Sequence, residues 1–185
     1  MISALVAVLT KLQIPYVVIG GIASSLLGKP RMTIDSDIVV LLEKEDSEKF
    51  IRTMREHGFK ITVSSFPKIV ARLNRNLPVK LRYTKRFSVD VRLASYSLDK
   101  QAILRAKKQL FFTEKISIVH PEDLIVYKLV RFDELDQSDI KSVLLRQKKK
   151  LNIENIISST QKLSEETGNE KILENLSTFL NWFQS

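Results

Sequence analysis

Val17-Val18-Ile19-Gly20-Gly21-Ile22-Ala23-Ser24-Ser25-Leu26-Leu27-Gly28-Lys29-Pro30-Arg31-Met32-Thr33-Ile34-Asp35-Ser36-Asp37-Ile38-Val39-Val40 is the stretch whose reading decides the fold. A short β-branched run leads into paired glycines. A short helical pattern, Ile22–Leu27, stops at Gly28, and a basic loop leads to a second apolar run opened by Asp35-Ser36-Asp37. Paired glycines after a strand permit positive φ and close approach of another group to the backbone. A helix starting there aims its free N–H groups and positive dipole end at the turn, an arrangement suited to phosphate. Ser24 and Ser25 add hydroxyl donors. Residues two apart in a strand share a face, so Asp35 and Asp37 project together while Ser36 and Ile38 face the other way. Two adjacent carboxylates repel unless a cation or a proton lies between them. Magnesium suits such a pair, because it takes one or two carboxylates together with substrate phosphate oxygens. Alone, Gly-Gly marks a turn and Asp-x-Asp a solvated strand end. In this order, with apolar runs on both sides, they point to a site.

Glycine pair, helix, then Asp-x-Asp opening a strand resembles the motif of the DNA-polymerase-β-like nucleotidyltransferase superfamily. Gly28-x-x-Arg31-x-Thr33-x-Asp35-x-Asp37 is most similar to the small minimal nucleotidyltransferases and the abortive-infection (AbiEii-like) toxin type. A second block, His120-Pro121-Glu122-Asp123-Leu124-Ile125-x-x-Lys128-Leu129 followed by Asp136-x-x-Asp139-Ile140, resembles the toxin-type signature. That signature has an arginine and a lysine before its first acid, where this chain has Asp133 and Leu135. The resemblance implies metal-dependent transfer of a nucleoside monophosphate from a nucleoside triphosphate to an acceptor hydroxyl. It implies magnesium or manganese held by Asp35, Asp37 and a third carboxylate on a later strand. It places the β- and γ-phosphates against Gly20, Gly21 and Ser24, with Arg31, Lys80 and Lys128 neutralising phosphate charge and Asp136 supporting the site. The acceptor is an RNA such as tRNA, a protein or a small molecule. A toxin–antitoxin partner protein is part of the same expectation.

The chain has 185 residues and 44% hydrophobic residues, enough for a proper core. No apolar run approaches the roughly 18 residues of a transmembrane helix. The start, Met1-Ile2-Ser3-Ala4-Leu5, lacks the basic opening of a signal peptide, so the expectation is a cytoplasmic protein with no membrane partner. There is no cysteine and only two histidines, which excludes disulfides, thiolate metal sites and a His-rich cluster. The net charge of +9 favours polyanions such as nucleotides or RNA.

Leu5, Val8, Leu9 and Leu12 recur at helical spacing, with Ser3 as the expected N-cap of a helix over Ala4–Gln13. Pro15 ends it and opens a strand, Tyr16–Ile19. Phe50, Ile51 and Met54 mark a helix ending near Gly58, and Phe59–Val63 reads as a strand. A hairpin follows: Val79, Leu81 and Tyr83 alternate with Lys80 and Arg82, and Phe87, Val89, Val91 and Leu93 alternate with Ser88, Asp90 and Arg92. The symmetric register sets Leu81 against Val89 and Lys80 against Asp90, which puts the apolar residues on one face. Asp90 is the expected third carboxylate; the competing role is a salt bridge to Lys80 or Arg92. Asp99–Lys107 reads as a helix. Leu110–Phe112 and Ile116–Val119 read as β runs. Pro121-Glu122-Asp123 is a helix start, with proline at the first position and acids in the first turn. Lys128 shares the apolar face of that helix and either snorkels or points into a site. Asp136 is either the N-cap of the helix Gln137–Leu145 or a site residue. Asn152–Gln184 is helical, broken near Gly168.

The expected fold is α/β: a short mixed sheet flanked by helices, with residues 1–120 as nucleotidyltransferase core and 121–185 as a C-terminal helical region. Two alternatives stand beside the enzyme: a non-catalytic nucleotide-binding protein, and a basic RNA-binding module.

Overall fold

The computed structural model describes residues 1–62 and 64–184. Six strands form one mixed sheet: β1 Tyr16–Ile19, β2 Asp35–Val40, β3 Val79–Arg82, β4 Ser88–Leu93, β5 Lys107–Phe111 and β6 Glu114–Ile118, in the order β3-β4-β2-β1-β6-β5. Neighbours β2 and β4 are parallel, as are β1 and β6; the other three pairings are antiparallel. The all-apolar β1 lies near the centre, as its pattern demands. The edges are β3 and β5, both carrying exposed basic side chains that discourage further pairing.

The helices are α1 Ile2–Lys11, α2 Gly20–Leu27, α3 Ser47–Glu56, α4 Phe66–Asn74, α5 Ser97–Arg105, α6 Pro121–Arg131, α7 Glu134–Gln147, α8 Ile153–Thr167 and α9 Lys171–Gln184. The α1, α3 and α4 helices form one group, touching β6, β3 and β4. The buried face of the hairpin, Val79, Leu81, Val89 and Val91, matches that packing. Helix α6 is the hub of the second group and touches α2, α7, α8 and α9. Its Leu124, Ile125, Val126 and Leu129 are fully buried. The opposite face of β2, β3 and β4, bearing Asp35, Asp37, Lys80, Asp90 and Arg92, opens into a cleft between the sheet and α6.

The hairpin register is the expected one, Leu81 against Val89 and Lys80 against Asp90. Several local expectations are corrected. Helix α1 starts before Ser3, with Met1 at the N-cap and no side-chain cap. Phe59–Val63 is not a strand in its described part: Lys60 makes a single bridge to Arg82, and Val63 lies outside the described residues. Asp99 does not begin a helix but closes the capping box of α5, which starts at Ser97; Lys107 already belongs to β5. Asp133 caps α7 through the backbone N–H of Asp136, so the helix begins earlier than Gln137 and the carboxylate of Asp136 is released from capping.

At the C-terminal end, Trp182 docks on Phe132 with ring centroids 5.5 Å apart, and the Lys141 ammonium sits 4.3 Å from the indole centroid. Glu122 and Asp123 do more than complement a helix dipole. Both are buried: Glu122 accepts from Arg105, the Asn152 N–H and Asn155, and Asp123 from Gln101 and Arg105. These bonds tie α5, α6 and α8 together.

Candidate active site

Parallel pairing of β2 and β4 sets Asp37 directly beside Asp90 and Asp35 beside Ser88. Because Asp35 and Asp37 share a face, three carboxylates converge at the same end of the sheet. Lys80, from the edge strand, donates to Asp35 at 2.8 Å and stands 3.4 Å from Asp90. The Ser88 hydroxyl also donates to Asp35. The Lys80 and Ser88 hydrogen bonds hold the Asp35 carboxyl below the usual carboxylate range. Asp37 has the opposite environment. Burial, then the charge of Asp90, pushes its carboxyl up, against a hydrogen bond from the Gly21 N–H. Burial also raises the Asp90 carboxyl, with Lys80 opposing.

The glycine turn is built around Asp37. Gly20 has φ +62°, and a Cβ there would lie 2.0 Å from Asp37 Oδ2. A Cβ on Gly21 would lie 2.7 Å from Thr33 Oγ1 and 3.3 Å from the Arg31 guanidinium. The turn therefore admits a carboxylate from β2 and the basic loop, not a side chain of its own. Ser24 is fully buried and its hydroxyl donates to the Gly20 carbonyl at 3.0 Å, so it secures the turn from behind. Ser25 fixes the next loop: its hydroxyl donates to the Arg31 carbonyl at 2.8 Å.

Arg31 reaches across to α7 and grips Asp139 through two bonds of 2.8 and 2.9 Å. Lys128, buried on α6, lies 2.9 Å from Asp136 and 2.8 Å from Asp139. Arg131 completes the chain, 3.0 Å from Asp136 and 2.8 Å from Asp133. The lysine thus neither snorkels nor stands as an isolated cation. Asp139 gains most: the Arg31 and Lys128 hydrogen bonds outweigh its burial and hold its carboxyl below the usual range. Substituting Lys128→Met leaves two buried acids with only Arg31 and Arg131 to neutralise them. A loss of about 2 kcal/mol is expected, below the roughly 3–5 kcal/mol of a buried charge with no remaining partner. Urea denaturation measures it; an unchanged midpoint would show that the two arginines suffice.

All of these groups except Ser24, Ser25, Lys80, Ser88, Asp133 and Asp139 line one cleft of about 1190 Å³. Its far end is walled by Arg92, Tyr96, Asp99, Tyr127 and residues of α8. There Arg92 binds Asp99 through bonds of 2.8 and 2.6 Å, and the Tyr127 hydroxyl donates to the same acid at 2.8 Å. Sequence reasoning missed this wall and the pairing of Arg31 with Asp139. The available signals were the capping position of Asp99 and the i, i+3 spacing of Asp136 and Asp139.

The donor set fits a hard divalent cation in its chemistry, since carboxylate oxygens are the ligands magnesium and manganese prefer. The electrostatics agree: Lys80 compensates Asp35 and Asp90, and the charge on Asp37 is opposed by both acids. Among the described residues no three acidic or histidine side chains already stand at ligand geometry. Lys80 is in contact with both Asp35 and Asp90.

Residues 1–117 match the family model described as aminoglycoside-2''-adenylyltransferase. Among solved structures, the lincosamide antibiotic adenylyltransferase LnuA, lincomycin-bound, superposes with a TM-score of 0.50 at 16% identity, covering 77% of this chain and 95% of that one. The antibiotic-resistance factor ANT(2'')-Ia gives a TM-score of 0.48 at 13% identity over 99% of this chain and 91% of that one. A nucleotidyltransferase-like protein from Paracoccidioides brasiliensis gives 0.46 at 19% identity, covering 95% and 89%. No curated protein sequence matches the chain. Among the described residues no helix is long and apolar enough to cross a membrane.

Proposed function

The chain belongs to the aminoglycoside-2''-adenylyltransferase family and is a nucleotidyltransferase, and from that premise we propose that it moves a nucleoside monophosphate onto a hydroxyl of a small molecule. The donor is a nucleoside triphosphate. The acceptor oxygen forms a bond to the α-phosphorus, the bond to the bridging oxygen breaks, and pyrophosphate leaves. Asp90 takes the proton of the acceptor hydroxyl: it stands on β4 beside Asp37, away from the glycine turn. Asp35, Asp37 and Asp90 would hold magnesium or manganese, which would supply neutralisation of charge on the attacking and leaving oxygens. Gly20 and Gly21 at the start of α2 let the triphosphate approach the backbone, the Gly21 N–H holding Asp37, and Arg31, Lys80 and Lys128 are the cations that phosphate oxygens would share with their acid partners. Ser24 acts through the turn, and Asp136 by holding Lys128 and Arg131 in place.

The observation that carries this reading is the register of β2 and β4, with Asp37 beside Asp90 and Asp35 on the same face, at a glycine turn that no Cβ can enter. The small-molecule acceptor is supported by the description of the family. The toxin–antitoxin context is supported by the sequence resemblance. The test is transfer from α-labelled triphosphates to tobramycin, to lincomycin and to a small-molecule cell extract. Tight nucleotide binding without any labelled product would favour the non-catalytic alternative.

Asp37→Asn tests the metal assignment without relying on activity. A carboxyl raised on folding binds its proton more tightly in the native state, so stability falls as pH rises above the unfolded-state value near 4. The amide removes that cost. In chelator at pH 7 the variant is expected to melt about 2–4 °C above the parent. The gap should close towards pH 4, where the parental carboxyl takes up its proton. Manganese titration by calorimetry should show most of the affinity gone. Equal manganese binding in parent and variant would sink the assignment.

A further inference from the structure

We propose that the sheet edge beside the cleft, formed by the end of α4, strand β3 and the β3–β4 turn, binds the phosphate backbone of a single-stranded nucleic acid. Between Glu56 and Asp90 the sequence has eight basic residues, Lys60, Lys68, Arg72, Arg75, Lys80, Arg82, Lys85 and Arg86, and no acid. That segment holds nearly the whole net charge of +9. All eight residues are exposed. Among the described residues, only Lys80 of the eight pairs with a carboxylate. The cations that are buried or half-buried around the cleft and behind α5 differ: Arg31, Arg92, Arg105 and Lys128 are all paired with acids. Folding gains nothing from concentrating like charges on one edge, where they repel each other.

The geometry selects an extended polyanion. Lys80 and Arg82 share the cleft face of β3, roughly 6.6 Å apart along the strand. Arg75 lines the cleft at one end of the row, while Lys85 and Arg86 occupy the turn at the other. One small phosphate compound at Asp90 meets Lys80 but leaves the outer cations unused; a row of phosphates meets several of them. Phe87 follows Arg86 directly and is 46% exposed, which offers a ring for a base to stack on. The row is also a free edge, since β3 pairs only with β4 apart from the single Lys60 bridge. The inference concerns binding and is independent of which molecule accepts the nucleotide.

The experiment uses the full chain and a fluorescein-labelled 20-nucleotide oligo(U) RNA, with anisotropy read from 50 to 200 mM salt. The parent should bind, and the logarithm of its affinity should fall linearly with the logarithm of salt, by about 0.7 per phosphate contacted. The triple variant Arg82→Glu/Lys85→Glu/Arg86→Glu should lose more than tenfold in affinity and show a shallower slope. Its triphosphate affinity should stay within twofold, because none of the three residues lies in the nucleotide site. A matched variant with the same change of net charge on other surfaces, Lys149→Glu/Lys150→Glu/Lys162→Glu, should bind RNA like the parent. Equal losses in the two triple variants would reduce the effect to net charge and overturn the assignment. So would absence of binding by the parent at 50 mM salt, or binding of phosphatidylserine vesicles that excludes the RNA.

Discussion

Replacing Asp90 by asparagine is expected to lower nucleotidyl transfer by more than ~100-fold while leaving triphosphate affinity within a few-fold, consistent with removal of a general base alone. The reason lies in the sheet. Asp90 stands beside Asp37 but belongs to a different strand, and its only direct cationic partner among the described residues is Lys80, 3.4 Å away. The glycine turn and the basic loop lie on the far side of β2 from it, and the triphosphate makes its proposed contacts there. Asparagine keeps the volume and can still accept from Lys80, so the fold is preserved. If Asp90 served only as a salt-bridge partner, the variant would lose at most about 1 kcal/mol of stability, as exposed pairs do, and would keep its activity. Transfer of labelled nucleotide, together with calorimetric titration of the triphosphate, distinguishes the two cases. Undiminished transfer by a folded Asp90→Asn protein would reject it as the base.

The second large effect is expected at Gly20. An alanine Cβ there would occupy the space of Asp37 Oδ2, at 2.0 Å, on a backbone already at φ +62°. Both consequences follow from one methyl group. The left-handed conformation costs alanine about 1–2 kcal/mol, and the carboxylate must leave its position beside Asp90. Gly20→Ala is therefore expected to abolish manganese binding and reduce transfer at least ~100-fold, with a modest drop in melting temperature. Gly168→Ala is the matched control. Gly168 has φ +65°, and nothing lies within 4 Å of its missing Cβ. It should show a comparable loss of stability with full activity. Equal activity losses in both variants would mean that backbone strain alone, not displacement of Asp37, disables the protein.

The two effects differ in how readily the sequence announces them. The pairing of Asp35 with Asp37 follows from the two-residue period of a strand, and the hairpin register from the requirement that Val79, Leu81, Val89 and Val91 face one way. Pro121 at the head of α6 and Gly168 at the end of α8 follow from backbone restrictions carried by single residues. The glycine pair was legible as a turn for the same reason. These features are local, and local sterics and periodicity act on neighbouring residues whatever the rest of the chain does.

What the residues oppose across long sequence separations was decided by the tertiary structure. Asp37 meets Asp90 because β2 and β4 pair in parallel across an intervening α3, α4 and β3, and no periodicity encodes that choice. Sequence placed Gly20 near phosphate; packing shows that its missing side chain makes room for Asp37. Ser24 reads as a donor at a helix start, yet the helix turns it inward to the Gly20 carbonyl. Lys128, Asp136, Asp139 and Arg31 were visible singly, but their neutralisation of one another required α6, α7 and the basic loop to meet. A charge in a sequence has no partner until the chain closes around it. The sequence by itself therefore determined which residues can do chemistry, and the packed fold decided which of them stand together, because charge pairing and burial depend on distance in space.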